Sequence, residues 1–261
     1  MAQNITLTLL GTGTSQGVPV IGCRCEVCRS ADPRDQRLRT SAMVEVGQSR
    51  FIIDAGPDFR TQMLREGVSH ISAILLTHKH KDHIGGIDDV RALNFVDYPQ
   101  IHTVNIYATA ETLDCVRKDY DYAFFTVRYR GTPEIALHTI SANESFTVDG
   151  VEIIPIKGRH AHFEVTGYRI GELAYLTDFK EIDDSEIEKL KGVRVLVVNA
   201  LRFAPHDSHF SVADALELIE QIKPERAYLT HMSHEVGLHS LAQQKLPNGV
   251  FFGYDGLKIE L

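Results

Sequence analysis

The stretch Thr77-His78-Lys79-His80-Lys81-Asp82-His83-Ile84-Gly85-Gly86 decides the fold of this 261-residue chain. It places three histidines and one aspartate within six positions, directly after the apolar run Ala73-Ile74-Leu75-Leu76, which predicts a short buried strand. At the end of that strand the first two histidines can reach one metal ion, while the aspartate and the third histidine turn towards a second position. A lone His-x-His pair is equally typical of a solvated turn, but the full His-x-His-x-Asp-His pattern favours a two-metal site.

Further metal-ligand residues lie at the ends of three later strand-like segments. Val151 to Ile156 runs into His160, Leu173 to Thr177 stops at Asp178, and Arg226 to Thr230 stops at His231. Imidazole nitrogens and carboxylate oxygens suit zinc, manganese or iron. We therefore expect two metal ions with the following ligands: His78, His80 and His160 for one, Asp82, His83 and His231 for the other, and a bridging carboxylate from Asp178.

Two metal ions at one site predict a hydrolase. Two cations that share a water molecule lower its pKa towards neutrality and turn it into a nucleophile. Asp54, at the end of the strand-like run Phe51-Ile52-Ile53, is a further acid near a predicted strand end. We expect its carboxylate to orient a ligand imidazole, with the capping of a loop as the alternative.

A cysteine cluster, Gly22-Cys23-Arg24-Cys25-Glu26-Val27-Cys28, holds three of the four cysteines of the chain. Such close spacing suits thiolates that converge on one zinc ion better than disulfides between distant elements. His234, three residues after His231, is the candidate fourth ligand. We expect a structural zinc that ties the loop near residues 22–28 to the last ligand loop; the alternative is three reduced surface thiols without a metal.

The metal-ligand pattern resembles the metallo-β-lactamase superfamily over nearly the whole chain. That resemblance implies an α/β fold, an αββα four-layer sandwich, with residues 1–261 as a single domain. The following segments are predicted as elements of that fold: a strand at Ile5 to Leu10, a hairpin at Met43 to Ile53, helices at Asp58 to Glu66, Ile87 to Phe95 and Ala110 to Phe124, and a final strand pair at Gly249 to Leu261.

Within the superfamily, three features resemble the PhnP-like phosphodiesterases: the run from Gly11 to Pro19, the cysteine cluster, and the His231 and His234 pair. The resemblance implies metal ligands at His78, His80, Asp82, His83, His160, Asp178 and His231, with Asp82 also among the catalytic residues, and a structural zinc at Cys23, Cys25, Cys28 and His234. It also implies that His209 assists the leaving group, just before a predicted helix from Val212 to Ile222. His162 stays open as the alternative third ligand, and His206 as the alternative acid.

The expected activity is hydrolysis of small, cyclic or nucleotide-like phosphodiesters by attack of a metal-bridging hydroxide. The expected cofactors are two divalent ions, zinc or manganese, in the active site and one structural zinc. The expected partners are a small phosphodiester substrate and, from the resemblance, a second copy of the chain in a homodimer.

Two other functions remain as alternatives. The first is a tRNA 3′-processing endoribonuclease of the same superfamily, but the net charge of −8 and pI of about 5.9 argue against binding nucleic acid. That family also carries a long basic arm, which is not found between His83 and His160. The second is a cofactor-handling binding protein similar to the pyrroloquinoline-quinone biosynthesis relatives. Every catalytic ligand position is filled here, which favours an enzyme.

The composition indicates one globular domain that does not enter a membrane. Hydrophobic residues make up 43% of the chain, and no apolar stretch approaches the roughly 20 residues that span a membrane. The start Met1-Ala2-Gln3-Asn4 lacks the basic and apolar regions of a signal peptide. We expect cytoplasmic residence, which suits thiolate ligands that must stay reduced.

Overall fold

Two seven-stranded β-sheets form the centre of the computed structural model, which describes residues 4–127 and 129–261. The first sheet contains β1 (Ile5–Gly11), β2 (Ser41–Val46), β3 (Ser49–Ile53), β4 (Ala73–Leu75), β5 (Val104–Ala108), β6 (Ile135–Thr139) and β14 (Lys258–Glu260). The second contains β7 (Phe146–Val148), β8 (Val151–His160), β9 (Phe163–Ile170), β10 (Leu173–Leu176), β11 (Val195–Asn199), β12 (Arg226–Thr230) and β13 (Val250–Phe252). Their orders are β14-β1-β2-β3-β4-β5-β6 and β13-β12-β11-β10-β9-β8-β7.

Helices cover the outer face of each sheet. Those on the first sheet's side are α1 (Phe59–Glu66), α2 (Lys81–Ile84), α3 (Val90–Asn94) and α4 (Ala110–Asp119), and those on the second sheet's side are α5 (Asp184–Glu188), α6 (Val212–Ile222) and α7 (His239–Ala242). One apolar core lies between the sheets, and one more lies between each sheet and its helices. The predicted αββα sandwich is therefore confirmed.

Helix α6 shows how local sequence sets an element. Its first turn is closed by a capping box, in which the Ser211 hydroxyl accepts from the Asp214 backbone N–H at 3.2 Å and the Asp214 carboxylate accepts from the Ser211 N–H at 2.9 Å. Val212, Ala215 and Leu218 follow at helical spacing and are buried against the second sheet. The predicted bounds of this helix are those of the structure.

The final strand pair predicted at Gly249 to Leu261 is wrong in its pairing. Strand β13 pairs with β12 in the second sheet, whereas β14 pairs with β1 in the first. The turn between them contains Asp255, whose carboxylate anchors it by accepting hydrogen bonds from the backbone N–H groups of Thr12 and Leu38 at 2.9 and 2.8 Å. The predicted helix from Ala110 also ends at Asp119 and is followed by a separate 3-10 turn at Asp121–Ala123.

Parallel strands create the edge that carries the functional residues. Strands β3 to β6 are parallel in the first sheet, and β10 to β13 are parallel in the second. The carboxyl ends of parallel strands meet at one edge, which is where ligands bind in such sheets. Among the described residues, no helix is both long enough and apolar enough to cross a membrane.

Candidate metal centres

Seven side chains predicted as metal ligands meet where the two sheets share this edge. The ligand atoms fall into overlapping groups whose members lie within 4.8 Å of one another: His78, His80 and His160; His78, His83 and Asp178; and Asp82, His83 and His231. His78 and His80 lie in the loop after β4, and Asp82 and His83 lie in α2. His160 is the last residue of β8, while Asp178 and His231 follow β10 and β12. The fold thus brings together residues that lie far apart in the sequence.

The carboxylate of Asp178 lies between the two sets of imidazoles. Its Oδ2 is 3.2 Å from Nε2 of His83, and its Oδ1 is 3.1 Å from Nε2 of His231 and 4.0 Å from Nε2 of His160. A ligand nitrogen and a ligand oxygen on one tetrahedral zinc ion are separated by roughly 3.3 Å, given metal–ligand distances of about 2.0 to 2.2 Å. Asp178 is therefore at ligand spacing from His83 and His231 of one set and faces His160 of the other set at 4.0 Å, which is the position expected of a carboxylate shared by two ions.

The unpaired nitrogens of this cluster also fit metal ions. Nε2 of His78, His83 and His231 are buried and make no hydrogen bond with the described residues. Buried polar atoms are normally paired, because leaving one without a partner costs about 1 to 3 kcal/mol. Two of these nitrogens, on His83 and His231, lie 3.1 to 3.7 Å from carboxylate oxygens of Asp82 and Asp178, and divalent ions between these groups would give them partners.

A second layer of hydrogen bonds fixes the orientation of the ligand imidazoles. Nδ1 of His83 lies 2.7 Å from Oδ2 of Asp54, and Nδ1 of His160 lies 2.6 Å from the Ser208 carbonyl oxygen. In both rings Nδ1–H donates, which leaves Nε2 facing the cluster as the atom that would bind a metal ion. Asp54 itself accepts from the Thr77 backbone N–H and hydroxyl at 2.8 and 2.9 Å.

Two groups that support ligand residues were not predicted from the sequence. The Thr177 hydroxyl donates to Oδ2 of Asp178 at 2.7 Å, and the Ser208 carbonyl holds His160. A threonine before an aspartate is common in proteins, and a carbonyl oxygen carries no residue signature. Only the position of Thr177 at a strand end gave a usable signal.

Strained backbone marks three of the residues around the cluster. Asp54, Asp178 and His231 have φ values of 64°, 63° and 55°, in the left-handed region. Each residue follows the end of a strand, where this conformation turns the side chain into the site. Such positions cost about 1 to 3 kcal/mol each and tend to occur at functional sites.

The carboxylates and imidazoles of the cluster shift each other's pKa values. Burial alone lowers the pKa of His83, but the nearby carboxylates of Asp178 and Asp82, together with Asp54, raise it well above the ordinary value. Burial raises the pKa of Asp178, and His231 and His83 lower it well below its ordinary range by a larger amount. The cluster therefore holds ionised carboxylates that attract positive charge, which is what a cation site requires.

The alternative histidines at the third-ligand and acid positions differ in where they lie. His160 is buried in the cluster, whereas His162 is exposed in the hairpin between β8 and β9. His209 lies inside the site, with its ring centroid 4.8 Å from that of His231 and its Nδ1 3.5 Å from Oδ1 of Asp178. His206 lies further out, where its Nδ1 is 3.2 Å from the Ser208 backbone nitrogen.

Burial and neighbouring imidazoles change the protonation of His209. Burial is the largest cause and His231 the next, and together they lower the pKa of His209 to about 3. The imidazole is therefore neutral at pH 7 in the substrate-free site. A neutral imidazole still donates one N–H hydrogen bond, and a nearby anionic substrate would favour its protonated form.

Phe163 forms a wall beside the first ligand group. Its ring centroid lies 4.9 Å from that of His80 and 5.0 Å from that of His160, and Nζ of Lys79 lies 5.5 Å from the ring centroid. Lys79 in turn forms an ion pair with Glu111 on α4. The apolar ring shields the ligands from water on this side.

The cysteine cluster forms a separate four-residue centre. Nδ1 of His234 lies 3.2 Å from Sγ of Cys25 and 3.5 Å from Sγ of Cys23, and Cys28 completes the group. Zinc–sulfur and zinc–nitrogen distances of about 2.3 and 2.0 Å imply a sulfur–nitrogen separation of roughly 3.5 Å at tetrahedral angles. All four cysteines of the chain are free thiols, and the geometry fits one zinc ion.

Hydrogen bonds also favour a thiolate in this centre. The His234 imidazole, followed by the Cys28 backbone N–H, lowers the pKa of Cys25 to about 6. Burial raises the pKa of Cys28 to about 11. Because a zinc ion binds the deprotonated thiol, Cys25 is prepared for metal binding at neutral pH and the binding of zinc would release the proton of Cys28.

Comparison with known proteins places the chain in a family. Residues 49–232 match the family described as Beta-lactamase superfamily domain. A protein of Porphyromonas gingivalis named octanoyltransferase is 41% identical over 253 residues, which cover 96% of this chain and 50% of that relative. The chain spans about half the length of the first curated relatives that it matches.

Two solved structures extend the comparison. A diphosphatase described as new and from the PhnP family superposes with a TM-score of 0.93 at 41% identity, over 100% of this chain and 98% of that one. Zinc-bound PqqB from Methylobacterium extorquens superposes with a TM-score of 0.71 at 21% identity, over 98% of this chain and 100% of that one. The second likeness, at this low identity, concerns the fold alone.

Proposed function

We propose, from the premise that this chain belongs to the metallo-β-lactamase superfamily and to its PhnP-like group, that it is a metal-dependent hydrolase of small phosphodiesters. The observation that carries the proposal is the position of Asp178 between the two groups of ligand imidazoles: its Oδ1 lies 3.1 Å from Nε2 of His231 in one group and 4.0 Å from Nε2 of His160 in the other. This geometry suits two metal ions rather than one.

The charge of the site supports an anionic substrate. Two divalent ions, together with the ionised carboxylates of Asp82 and Asp178, would give the site a net charge of about +2. The ions would supply the positive charge that binds a phosphate group and activates water. The protein's own part is to hold these carboxylates ionised, to orient His83 through Asp54 and His160 through the Ser208 carbonyl, and to exclude water with Phe163.

His209 is the residue that we propose to contact the leaving group. It is the histidine of the site that is neither in a predicted ligand set nor exposed, and its Nδ1 is buried without a hydrogen bond. An N–H aimed at the departing oxygen stabilises the negative charge that develops there. His209 contacts His231 and Asp178, whereas His206 contacts Ser208 and His209; these contacts support His209 for the role.

Hydrolysis of a diphosphate is the second candidate function. The observation that favours it is the likeness to a PhnP-family diphosphatase, at 41% identity and a TM-score of 0.93. Attack on phosphorus is common to both reactions, but the leaving group is a phosphate rather than an alkoxide. Octanoyl transfer is not proposed, because the relative with that name is about twice as long as the matched region and the site contains metal ligands.

The supporting centre and the assembly are further proposals. We propose one structural zinc at Cys23, Cys25, Cys28 and His234, and zinc or manganese in the active site. The grouped ligand atoms of both centres and the buried, unpaired imidazole nitrogens support divalent metals at these positions. The homodimer and the cytoplasmic residence expected from the sequence stay predictions.

The test is hydrolysis of a substrate panel by protein stripped of active-site metal and reloaded with manganese or zinc. The panel contains bis-p-nitrophenyl phosphate, a ribose cyclic phosphate, ADP and a precursor tRNA. We expect metal-dependent cleavage of the two diesters that is lost in Asp178→Ala and kept in His162→Ala, a matched control because His162 is exposed.

Other patterns would change the assignment. Cleavage of ADP alone would replace the diester with a diphosphate, and cleavage of the tRNA would favour the endoribonuclease. If the fully metal-loaded protein leaves the whole panel intact, the hydrolase proposal is wrong and the cofactor-handling function takes its place.

A further inference from the structure

A third cluster of metal-ligand side chains lies away from both centres. His70 and His102 each place Nε2 at 2.8 Å from the same oxygen, Oδ2 of Asp97. The ring centroids of the two histidines are 5.3 Å apart at an interplanar angle of 86°. Three ligand atoms from two separate loops thus converge on one point.

The cluster lies at the amino ends of two strands whose other ends face the catalytic edge. His70 belongs to the loop that leads into β4, and Asp97 and His102 belong to the loop between α3 and β5. Since β4 and β5 are parallel, the cluster and the loop from His78 to His83 are at opposite ends of this part of the sheet. The cluster is therefore separate from the catalytic site.

The backbone beneath the cluster is held in place. The side-chain amide of the buried residue Asn94 donates to the His102 carbonyl at 2.7 Å, and the His102 N–H donates to the Asn94 carbonyl at 2.9 Å. Nδ1 of His70 lies 2.9 Å from the Ser69 hydroxyl. If His70 donates Nδ1–H to that hydroxyl, its Nε2 carries the lone pair that a metal ion needs.

We propose that His70, Asp97 and His102 form a zinc-binding site, with water in the remaining position. Two imidazoles and one carboxylate form a donor set suited to zinc, whereas calcium and magnesium need more oxygen ligands. Zinc requires nitrogen–oxygen separations of roughly 3.3 Å, so the present contacts must open by about half an ångström. The side chains are 53%, 48% and 31% exposed and are free to make this adjustment.

A cleft next to the cluster leaves room for the water ligand. It has a volume of about 130 Å³ and is lined by His70, His102, Ser69 and Leu93, among others. Zinc bound here would cross-link the loops that precede β4 and β5. A simple hydrogen-bond network is the competing explanation, and it requires a hydrogen on Nε2 of each histidine, where zinc binding requires a lone pair.

The test compares zinc binding by the full chain and its variants after the other two centres have been saturated with zinc. A chromophoric chelator buffers free zinc at pH 7.5, and protein-bound zinc is measured at equilibrium. We expect the unmodified chain to bind about one equivalent more than His70→Gln/His102→Gln, and Asp97→Asn to bind the additional zinc at least about tenfold more weakly. His138→Gln is the matched control, since His138 lies outside the cluster and contacts Asn105.

A second readout separates zinc binding from the hydrogen-bond network. Nitrogen-15 chemical shifts of His70 and His102 report whether Nε2 carries a hydrogen or a metal ion. Zinc-dependent shifts at both rings, absent in Asp97→Asn, would support the site. Equal zinc content in the unmodified chain and the double variant would overturn the proposal, and unchanged hydrolytic activity in all variants would show that folding and the catalytic site were intact.

Discussion

Replacing Asp54 with asparagine tests how the second layer supports the metal site. The Asp54 carboxylate lies in the interior and accepts three hydrogen bonds: two from Thr77, at 2.8 and 2.9 Å, and one from Nδ1 of His83, at 2.7 Å. The Thr77 backbone N–H donates to one oxygen and the His83 ring to the other. An asparagine in either orientation therefore places its NH₂ group against a donor.

The size of the effect follows from this geometry. An unsatisfied buried donor costs about 1 to 3 kcal/mol, and loss of a partner that orients a ligand histidine lowers metal affinity about 10- to 100-fold. Because the ring of His83 would lose its orientation, we expect Asp54→Asn to weaken metal binding within that range and to lower the free energy of unfolding by about 1 to 3 kcal/mol.

Manganese titration with a competing chelator and urea denaturation measure the two quantities. Glu45→Gln is the control, since it changes the partly exposed ion pair with Arg50 and should alter stability by about 1 kcal/mol or less. Metal affinity in Asp54→Asn equal to that of the control would refute the argument that the carboxylate orients His83.

Three further predictions concern other parts of the molecule. His209→Gln should lower kcat about 10- to 150-fold for a diester with an alkoxide leaving group, because that factor corresponds to the loss of one hydrogen bond to a charged group. For bis-p-nitrophenyl phosphate the loss should be less than about threefold. Equal losses for the two substrates in steady-state assays would argue against a leaving-group role. Cys25→Ser should remove about one equivalent of zinc and lower the melting temperature, as measured by elemental analysis and calorimetry, whereas Cys115→Ser, outside the cluster, should keep the zinc. Burial, followed by Arg34 and Arg37, lowers the pKa of His239 to about 4. As the pH falls below about 6.5 the unfolded chain therefore takes up this proton before the folded chain does, and the associated stability is lost as the pH falls towards 4. Between pH 7 and 5, urea denaturation should show a loss of unfolding free energy about 1 to 2 kcal/mol larger in the unmodified chain than in His239→Gln, and equal losses would contradict this.

Much of the fold could be predicted because local signals agree with long-range packing. The cap at Ser211 and the apolar face of helix α6 can be read from the sequence, and an apolar run before the ligand loop predicts β4. The pairing of β13 and β14 could not be predicted in this way. Each strand has only three residues. Their pairing with β12 and β1 depends on packing in the core and on the turn that the hydrogen bonds of Asp255 hold in place.

The candidate site also has parts that could be predicted from the sequence and parts that could not. Ligand types and spacing located His78 to His83 and the cysteine cluster, because metal chemistry restricts both residue type and separation. No residue pattern in the sequence predicted the left-handed backbone conformation of Asp54, Asp178 and His231. The cluster of His70, Asp97 and His102 was also missed, since two loops bring it together and no strand end marks its members.

Activity as a function of bound metal tests the central claim most directly. Protein with its cysteine centre filled is titrated with manganese, and hydrolysis of a ribose cyclic phosphate is measured at each bound equivalent. The account predicts a rise that saturates at two equivalents in the unmodified chain and in His162→Ala, with no activity in Asp178→Ala. Saturation at one equivalent, or full activity without Asp178, would contradict a two-metal phosphodiesterase.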